Sequence, residues 1–285
     1  MRKTITAAGA MLSILLAVSV QAKENSFAQK DKAGHLLAYM TEGEDLPGKP
    51  GSAFFGIPDT GLIVSVVRDD KDRASLRFEA QGEITREIPL DLSVQKKDKL
   101  KPWPMYVRWE GETWEGGYAL LLGVVSQGSK YFSGGEANDS WLHLFRVDNP
   151  GSDAGRARQV LMLPLAAAKN VRACFSEQDE AARQGICHDS YKFEAALTLD
   201  TANDTAWPTF IYQSGASAQP GLLTTVAELP KRTLTEAELA EKQDATCSLK
   251  RTVQFNPLSR HYEMEGSGPD CDNYFVPSLD TVFVP

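Results

Sequence analysis

Alternation of apolar and polar residues is the feature that most constrains how this chain can fold. Residues 191–200 place apolar side chains at every second position and mostly polar ones between them, and residues 76–80 and 249–255 have the same period. A period of two places neighbouring side chains on opposite faces of a β-strand. Each of these segments is therefore predicted to be a strand with one buried face.

Other segments are apolar on both faces, notably residues 62–67, 119–125 and 160–165. Such runs are typical of central strands that are covered on two sides. Turn-forming residues separate about fifteen candidate strands, a spacing expected of sandwiches, barrels or propellers. The sequence predicts an all-β, mostly antiparallel fold. Loose recurrence of strand clusters favours a propeller-like arrangement of short strands, and paired β-sandwich subdomains are the alternative.

Helical signals are confined to two short segments. Thr235 and Glu238 form a capping-box pattern that predicts a helix ending near residue 243. Ser176 and Asp179 predict a second N-terminal cap, and Gly185 follows as a C-terminal signal.

The first 22 residues have the pattern of a secretory signal peptide. Arg2 and Lys3 precede an apolar run, and Val20-Gln21-Ala22 matches a small-residue cleavage site. Cleavage after Ala22 predicts a periplasmic or secreted protein, with an uncleaved anchor or a buried N-terminal helix as alternatives. The rest, residues 23–285, is predicted as a single all-β domain, and residues 96–104 are a candidate internal boundary because lysines and prolines coincide there.

Four cysteines remain after such a cleavage, and four thiols allow three pairings. An exported chain favours disulfides over a zinc site. Proximity favours Cys174–Cys187 and Cys247–Cys271. The second pair would close around a hairpin of residues 249–255 and 261–265, whose outer ends lie together.

The chain carries a net charge of −8, which argues against nucleic-acid binding. No later segment has 18 consecutive apolar residues, so no integral membrane segment is predicted in the mature chain. No motif predicts a cofactor, a metal site or a catalytic nucleophile. The acidic turns at residues 69–72 and 148–153 are compatible with ordinary Asp-stabilised turns.

Two histidines are candidate functional residues. His143 lies in an apolar strand and is interpreted as a hydrogen-bonded core residue. His188 precedes Asp189, but neighbouring strand residues point to opposite faces, which disfavours a catalytic pair.

Aromatic residues cluster between positions 103 and 118. Strand parity assigns Trp103 and Trp109 to the apolar face. The candidate ligand-binding residues are those on the other face and in the following loop: Tyr106, Arg108, Glu110, Trp114 and Tyr118. The segment 131–135, Tyr-Phe-Ser-Gly-Gly, is a second loop at which glycine would let a ligand approach the backbone.

The function predicted from these features is a non-catalytic binding or interaction module. A cell-envelope glycan or a protein is the expected class of partner. The alternative is a glycan hydrolase that uses paired carboxylates, because general acid–base chemistry requires only two acids that converge in space.

Overall fold

The computed structural model describes residues 28–43, 54–92, 94–109, 119–148, 150, 155–220, 232–266 and 271–275. In these residues the strands are β1 (Ala28–Lys30), β2 (Leu36–Tyr39), β3 (Thr41–Gly43), β4 (Phe54–Ile57), β5 (Leu62–Arg68), β6 (Ala74–Ala80), β7 (Glu83–Pro89), β8 (Lys99–Trp109), β9 (Ala119–Phe132), β10 (Gly135–Asp148), β11 (Arg156–Arg172), β12 (His188–Leu199), β13 (Phe210–Gln219), β14 (Lys242–Gln243), β15 (Lys250–Asn256) and β16 (His261–Met264). The helices are α1 (Glu177–Ala182) and α2 (Glu236–Leu239), and Asp272–Tyr274 form a 3₁₀ turn.

The strands form two sheets in which the neighbouring strands are antiparallel. An 11-stranded sheet, the long sheet, has the order β1-β2-β8-β9-β10-β11-β12-β13-β15-β16, with β14 beside β13. A 5-stranded sheet, the small sheet, is the meander β3-β4-β5-β6-β7. The predicted all-β, mostly antiparallel fold with two short helices is confirmed. The described strands form packed sheets and do not close into a ring of blades.

The small sheet packs against one face of the long sheet. Their shared core contains Phe55, Val64 and Phe78 from the small sheet, and Leu122 and Phe145 from the long sheet. All five side chains are at most 5% exposed. The antiparallel sheets therefore form a two-layer sandwich over the first half of the long sheet.

The long sheet also bends so that its two ends approach each other. The side-chain oxygen of Gln29 in β1 accepts a hydrogen bond from the backbone N–H of Leu199 in β12 at 3.0 Å. The Tyr212 hydroxyl in β13 donates to the carbonyl oxygen of Pro164 in β11 at 2.8 Å. A second core contains residues from both ends of this sheet, among them Leu37 and Tyr262.

The three segments predicted to be buried on both faces differ in how completely the structure buries them. Residues 119–125 in β9 are buried throughout, because the two cores lie on opposite sides of this strand. In β5, Val66 and Val67 are only half-buried. In β11, Met162 is 52% exposed. Full coverage on two sides is thus confined to the centre of the long sheet.

Both predicted disulfides are confirmed. Cys174 and Cys187 are bonded with their Cα atoms 4.9 Å apart, and Cys247 and Cys271 with theirs 5.9 Å apart. The hairpin between the second pair is β15–β16, close to its predicted bounds.

The two helices have the predicted N-terminal caps. Ser176 accepts from the backbone N–H of Asp179, and Thr235 and Glu238 form a reciprocal capping box. Helix α2 ends at Leu239, before the predicted position, because Ala240 is extended and leads into β14.

The connection from β7 to β8 carries the chain from the small sheet to the long sheet. It contains Lys96, Lys97 and Asp98, and the remainder of the candidate boundary lies within β8, whose Trp103 is buried. The predicted signal peptide, residues 1–22, lies outside the described residues. Among the residues that are described, no helix is long and apolar enough to cross a membrane.

Candidate functional site

The five candidate ligand-binding residues from the sequence are only partly described. Tyr106 in β8 is 3% exposed and packs between the two sheets, where burial, followed by the nearby Asp59, raises the pKa of its hydroxyl. Arg108 is half-buried in the same strand. Glu110, Trp114 and Tyr118 lie outside the described residues, as does the side chain of Trp109. The burial of Tyr106 leaves little of its ring open to a ligand.

His143 is a buried, hydrogen-bonded residue of β10, as predicted. Its Nε2 atom lies 3.0 Å from the Ser126 hydroxyl of β9. Burial lowers the pKa of His143 to about 4. The imidazole is therefore neutral at physiological pH, and its place in the core gives it a structural role.

His188 lies at the start of β12 and is exposed, and it makes no hydrogen bond to Asp189 within the described structure. The Asp189 carboxylate instead binds the guanidinium group of the buried Arg183. This arrangement agrees with the opposite orientation of neighbouring strand residues. His188 is consequently a surface group to which no carboxylate of the described residues is hydrogen-bonded.

Two adjoining depressions, together called the groove, lie over the ends of β9 to β12. One has a volume of about 570 Å³ and is lined by residues that include Tyr131, Glu136 and Ser190. The other has a volume of about 270 Å³ and is lined by residues that include Phe175 and Glu180. His188 lines both depressions, so the two adjoin at this side chain.

Two exposed aromatic rings flank the groove. Tyr131 is 79% exposed at the end of β9, and Phe175 is 65% exposed before helix α1. The guanidinium carbon of Arg172 lies 5.4 Å from the centre of the Phe175 ring, and its Nε donates to the Cys174 carbonyl oxygen at 2.8 Å. Large apolar side chains exposed to this extent commonly mark binding sites when they lie together.

A line of paired residues, called the polar row, runs across the strands beneath the groove. Glu136 pairs with Tyr131 on one side and with Asn170 on the other, Asn170 pairs with Ser190, and Ser190 pairs with Gln219. Directly paired residues of antiparallel strands place their side chains on the same face. The polar row therefore presents an aromatic ring, a carboxylate, two amides and a hydroxyl to one surface.

Hydrogen bonds hold parts of this surface in place. The Ser190 hydroxyl donates to Asn170 Oδ1 at 2.7 Å, which fixes the orientation of the amide. The Cys174–Cys187 bond closes the loop that carries Phe175 and α1. A side chain at Gly135 would overlap the carbonyl oxygen of Asn170, so only glycine allows β10 to begin at this position.

A buried polar network lies elsewhere, at the contact between β1–β2 and the β12–β13 loop. Asn203 Nδ2 donates to Asp31 Oδ2 at 2.9 Å, and His35 Nδ1 lies 2.6 Å from the same oxygen. Burial opposes ionisation of Asp31, but the hydrogen bonds from Asn203 and His35 outweigh it and lower the pKa of the carboxyl group. Since Asp31 and His35 are at most 6% exposed, the network joins the two segments and offers no open site.

The acidic turn at residues 69–72 is held by its own neighbours. Asp69 accepts hydrogen bonds from the backbone and side chain of Arg73, and Asp72 pairs with Arg68 at 2.7 Å. In the second turn, residues 149 and 151–153 are outside the described residues. The described part of the chain brings together no group of three or more His, Cys, Asp or Glu side chains that could hold a metal ion.

Sequence reasoning identified the loop at residues 131–135 and His188, but not their proximity. It missed Asn170, Arg172 and Phe175 as residues of one surface. The Asn170–Ser190 pairing depends on the register between β11 and β12, which no local pattern specifies. The position of Phe175 beside Cys174 was the one available signal, because the predicted disulfide would hold it at the end of a strand.

Comparison with known protein families, curated proteins and solved structures found no match to this chain.

Proposed function

We propose that this protein is a non-catalytic binding module of the cell envelope that holds its ligand in the groove. The observation that carries the proposal is the placement of two exposed rings along the groove, Tyr131 within the polar row and Phe175 in the adjoining depression. Exposed aromatic rings supply contact area, and strand-borne polar groups supply orientation. Side chains on paired strands need little reorganisation to receive a ligand.

The compartment in this proposal rests on two features. Two formed disulfides are typical of an oxidising environment. The signal-peptide pattern of residues 1–22 supports export to the periplasm or beyond it.

The test is sedimentation of the purified protein with isolated peptidoglycan sacculi. We expect saturable binding, and we expect the double variant Tyr131→Ala/Phe175→Ala to bind at least about fivefold more weakly. Each aromatic contact contributes about 0.5–1.5 kcal/mol, and about 1.4 kcal/mol corresponds to a factor of ten.

The matched control is Ile84→Ala/Leu258→Ala, which also removes two exposed large apolar side chains but lies away from the groove. This control should bind as the wild type does. Equal binding by both double variants, or no binding by the wild type, would overturn the proposal.

The competing proposal is a glycan hydrolase that uses Glu136 and Glu180, which line different parts of the groove. Both residues are exposed, whereas a general acid in glycoside hydrolysis usually has an apolar environment. Release of soluble reducing ends from sacculi, abolished by Glu136→Gln or Glu180→Gln, would support hydrolysis over simple binding.

A further inference from the structure

The spacing of the polar row restricts the shape of its ligand. Neighbouring strands lie about 4.8 Å apart, and this distance is close to the length of one pyranose residue in a linear glycan. A glycan that crosses the strands would therefore meet one side chain of the row with each successive sugar. A linear ligand of repeating units fits such a row better than a compact ligand does.

The pairing of these strands argues against an extended peptide added to the sheet. Around Asn170, β11 is paired with β10 on one side and with β12 on the other. Its backbone groups are therefore used within the sheet, and strand addition requires an unpaired edge. The ligand must be recognised through side chains.

The charges of the groove disfavour an anionic ligand. Glu136 and Glu180 contribute carboxylates, and Arg172 is the only Lys or Arg among the described residues that line the two depressions. That guanidinium group is already hydrogen-bonded to the Cys174 carbonyl and placed over Phe175. A neutral ligand avoids repulsion by the two carboxylates.

Asn170 and Glu136 provide complementary hydrogen-bonding groups side by side. The amide of Asn170 accepts from Ser190 and retains its NH₂ group as a donor, while Glu136 can only accept when it is ionised. Directly paired side chains lie about 4.5–5.5 Å apart at Cβ. An acetamido group, which has a carbonyl acceptor and an N–H donor on one short substituent, matches this pair.

We infer that the groove binds a neutral oligosaccharide of N-acetylated hexosamines. One sugar stacks its C–H face on Tyr131, and its acetamido carbonyl accepts from Asn170 while the acetamido N–H donates to Glu136. This inference rests on the proposed function, because it assigns the chemical class of ligand for the same groove.

The experiment is isothermal titration of the folded, disulfide-bonded protein with chitohexaose and with cellohexaose. The two probes have the same β-1,4-linked backbone, and only chitohexaose carries acetamido groups. We expect the Kd for chitohexaose to be at least tenfold lower. Asn170→Asp should raise that Kd at least tenfold, because it removes the donor and adds a second carboxylate beside Glu136.

The control variant is Gln213→Glu, which makes the same change from amide to carboxylate at an exposed position of β13. It should leave the Kd for chitohexaose unchanged. Equal affinity for the two probes, or no effect of Asn170→Asp, would overturn the inference. In that case, sacculi binding that still depends on Tyr131 and Phe175 would leave the proposed function standing, and loss of that dependence would overturn both.

Discussion

The two halves of β9 differ in their surroundings although they pair with the same neighbour, β10, along their whole length. The near half, residues 119–126, is buried on both faces between the two cores. The far half, residues 127–132, extends beyond the cores, contains no fully buried residue and carries the exposed Tyr131 next to its last residue. One continuous strand thus stabilises the fold in its near half and carries the candidate site in its far half.

This difference shows how a rigid binding surface can be built without a pocket in the core. The pairing of β9 with β10 continues from the near half into the far half. The packing of the near half in the two cores therefore also fixes the direction of the backbone in the far half. Only the side chains change from apolar to polar. A substitution should therefore affect stability in one half and binding in the other.

The largest expected effect is on folding and comes from the near half. Leu121 and Leu122 are fully buried on opposite faces, and each change to Ala should lower the free energy of unfolding by about 2–5 kcal/mol. Urea titration measures this value. Ser129→Ala in the far half is the control, with an expected change within about 0.5 kcal/mol. A near-wild-type Leu121→Ala or Leu122→Ala would contradict two-sided burial.

Removal of the disulfide beside the groove should lower both the stability of the protein and its binding to sacculi. The separation between Cys174 and Cys187 is 13 residues, and chain entropy for a loop of this size gives about 3 kcal/mol of stabilisation. We expect Cys174→Ser/Cys187→Ser to lose this stability and to bind sacculi more weakly. Cys247→Ser/Cys271→Ser, the control, should lose stability but keep sacculi binding in the remaining folded protein. Equal losses of sacculi binding in the two variants would show that the Cys174–Cys187 bond does not support binding by positioning Phe175.

The neighbour of the near half in β10, His143, should also make stability depend on pH. Its pKa is about 4 in the folded protein, below the ordinary value of 6.5, so the unfolded chain binds a proton at a higher pH than the folded one. Stability should therefore fall as the pH decreases from 6.5 to 4 and stop changing from this cause below 4. The loss attributable to His143 is at most about 3 kcal/mol.

Urea titrations at several pH values measure this dependence in the wild type and in His143→Leu. The variant should lose less stability over the same pH interval, although Ser126 loses a partner at every pH. His261→Gln, at an exposed position of β16, should retain the wild-type dependence. Identical slopes for the wild type and His143→Leu would show that His143 does not contribute.

The smallest expected effect on stability is at the tip of the far half. Tyr131→Ala should change the free energy of unfolding by no more than about 0.5 kcal/mol, because the ring is 79% exposed. The same variant should weaken sacculi binding. A decrease in melting temperature as large as that of Leu121→Ala would show instead that the ring supports the fold.

Local patterns in the sequence were sufficient for much of the fold. Alternation predicted the strand at residues 191–200, and the two-sided apolar run predicted the central position of residues 119–125. Cysteine proximity and the β15–β16 hairpin predicted the disulfides, since both depend on short-range geometry. The capping residues Ser176 and Thr235 predicted the starts of both helices for the same reason.

The candidate site was less accessible from the sequence. The prediction based on aromatic density chose Tyr106, which packs between the sheets, together with Arg108, Glu110, Trp114 and Tyr118. The binding role of these residues stays a prediction. Density of aromatic residues does not distinguish a core from a surface, because both use large rings. An exposed ring can be identified only when it is known which face of its sheet is covered by a second sheet.

The sequence by itself determined the strand-rich class and the helix caps and favoured the correct disulfide pairs, because each follows from side chains close together in the chain. Tertiary structure alone decided which sheet covers which face, where the long sheet bends and which residues stand side by side across β9 to β13. The polar row joins Tyr131 to Gln219 through four strand pairings. Register across paired strands is set by the packing of the whole sheet, and a shift of one residue would turn each of these side chains to the other face.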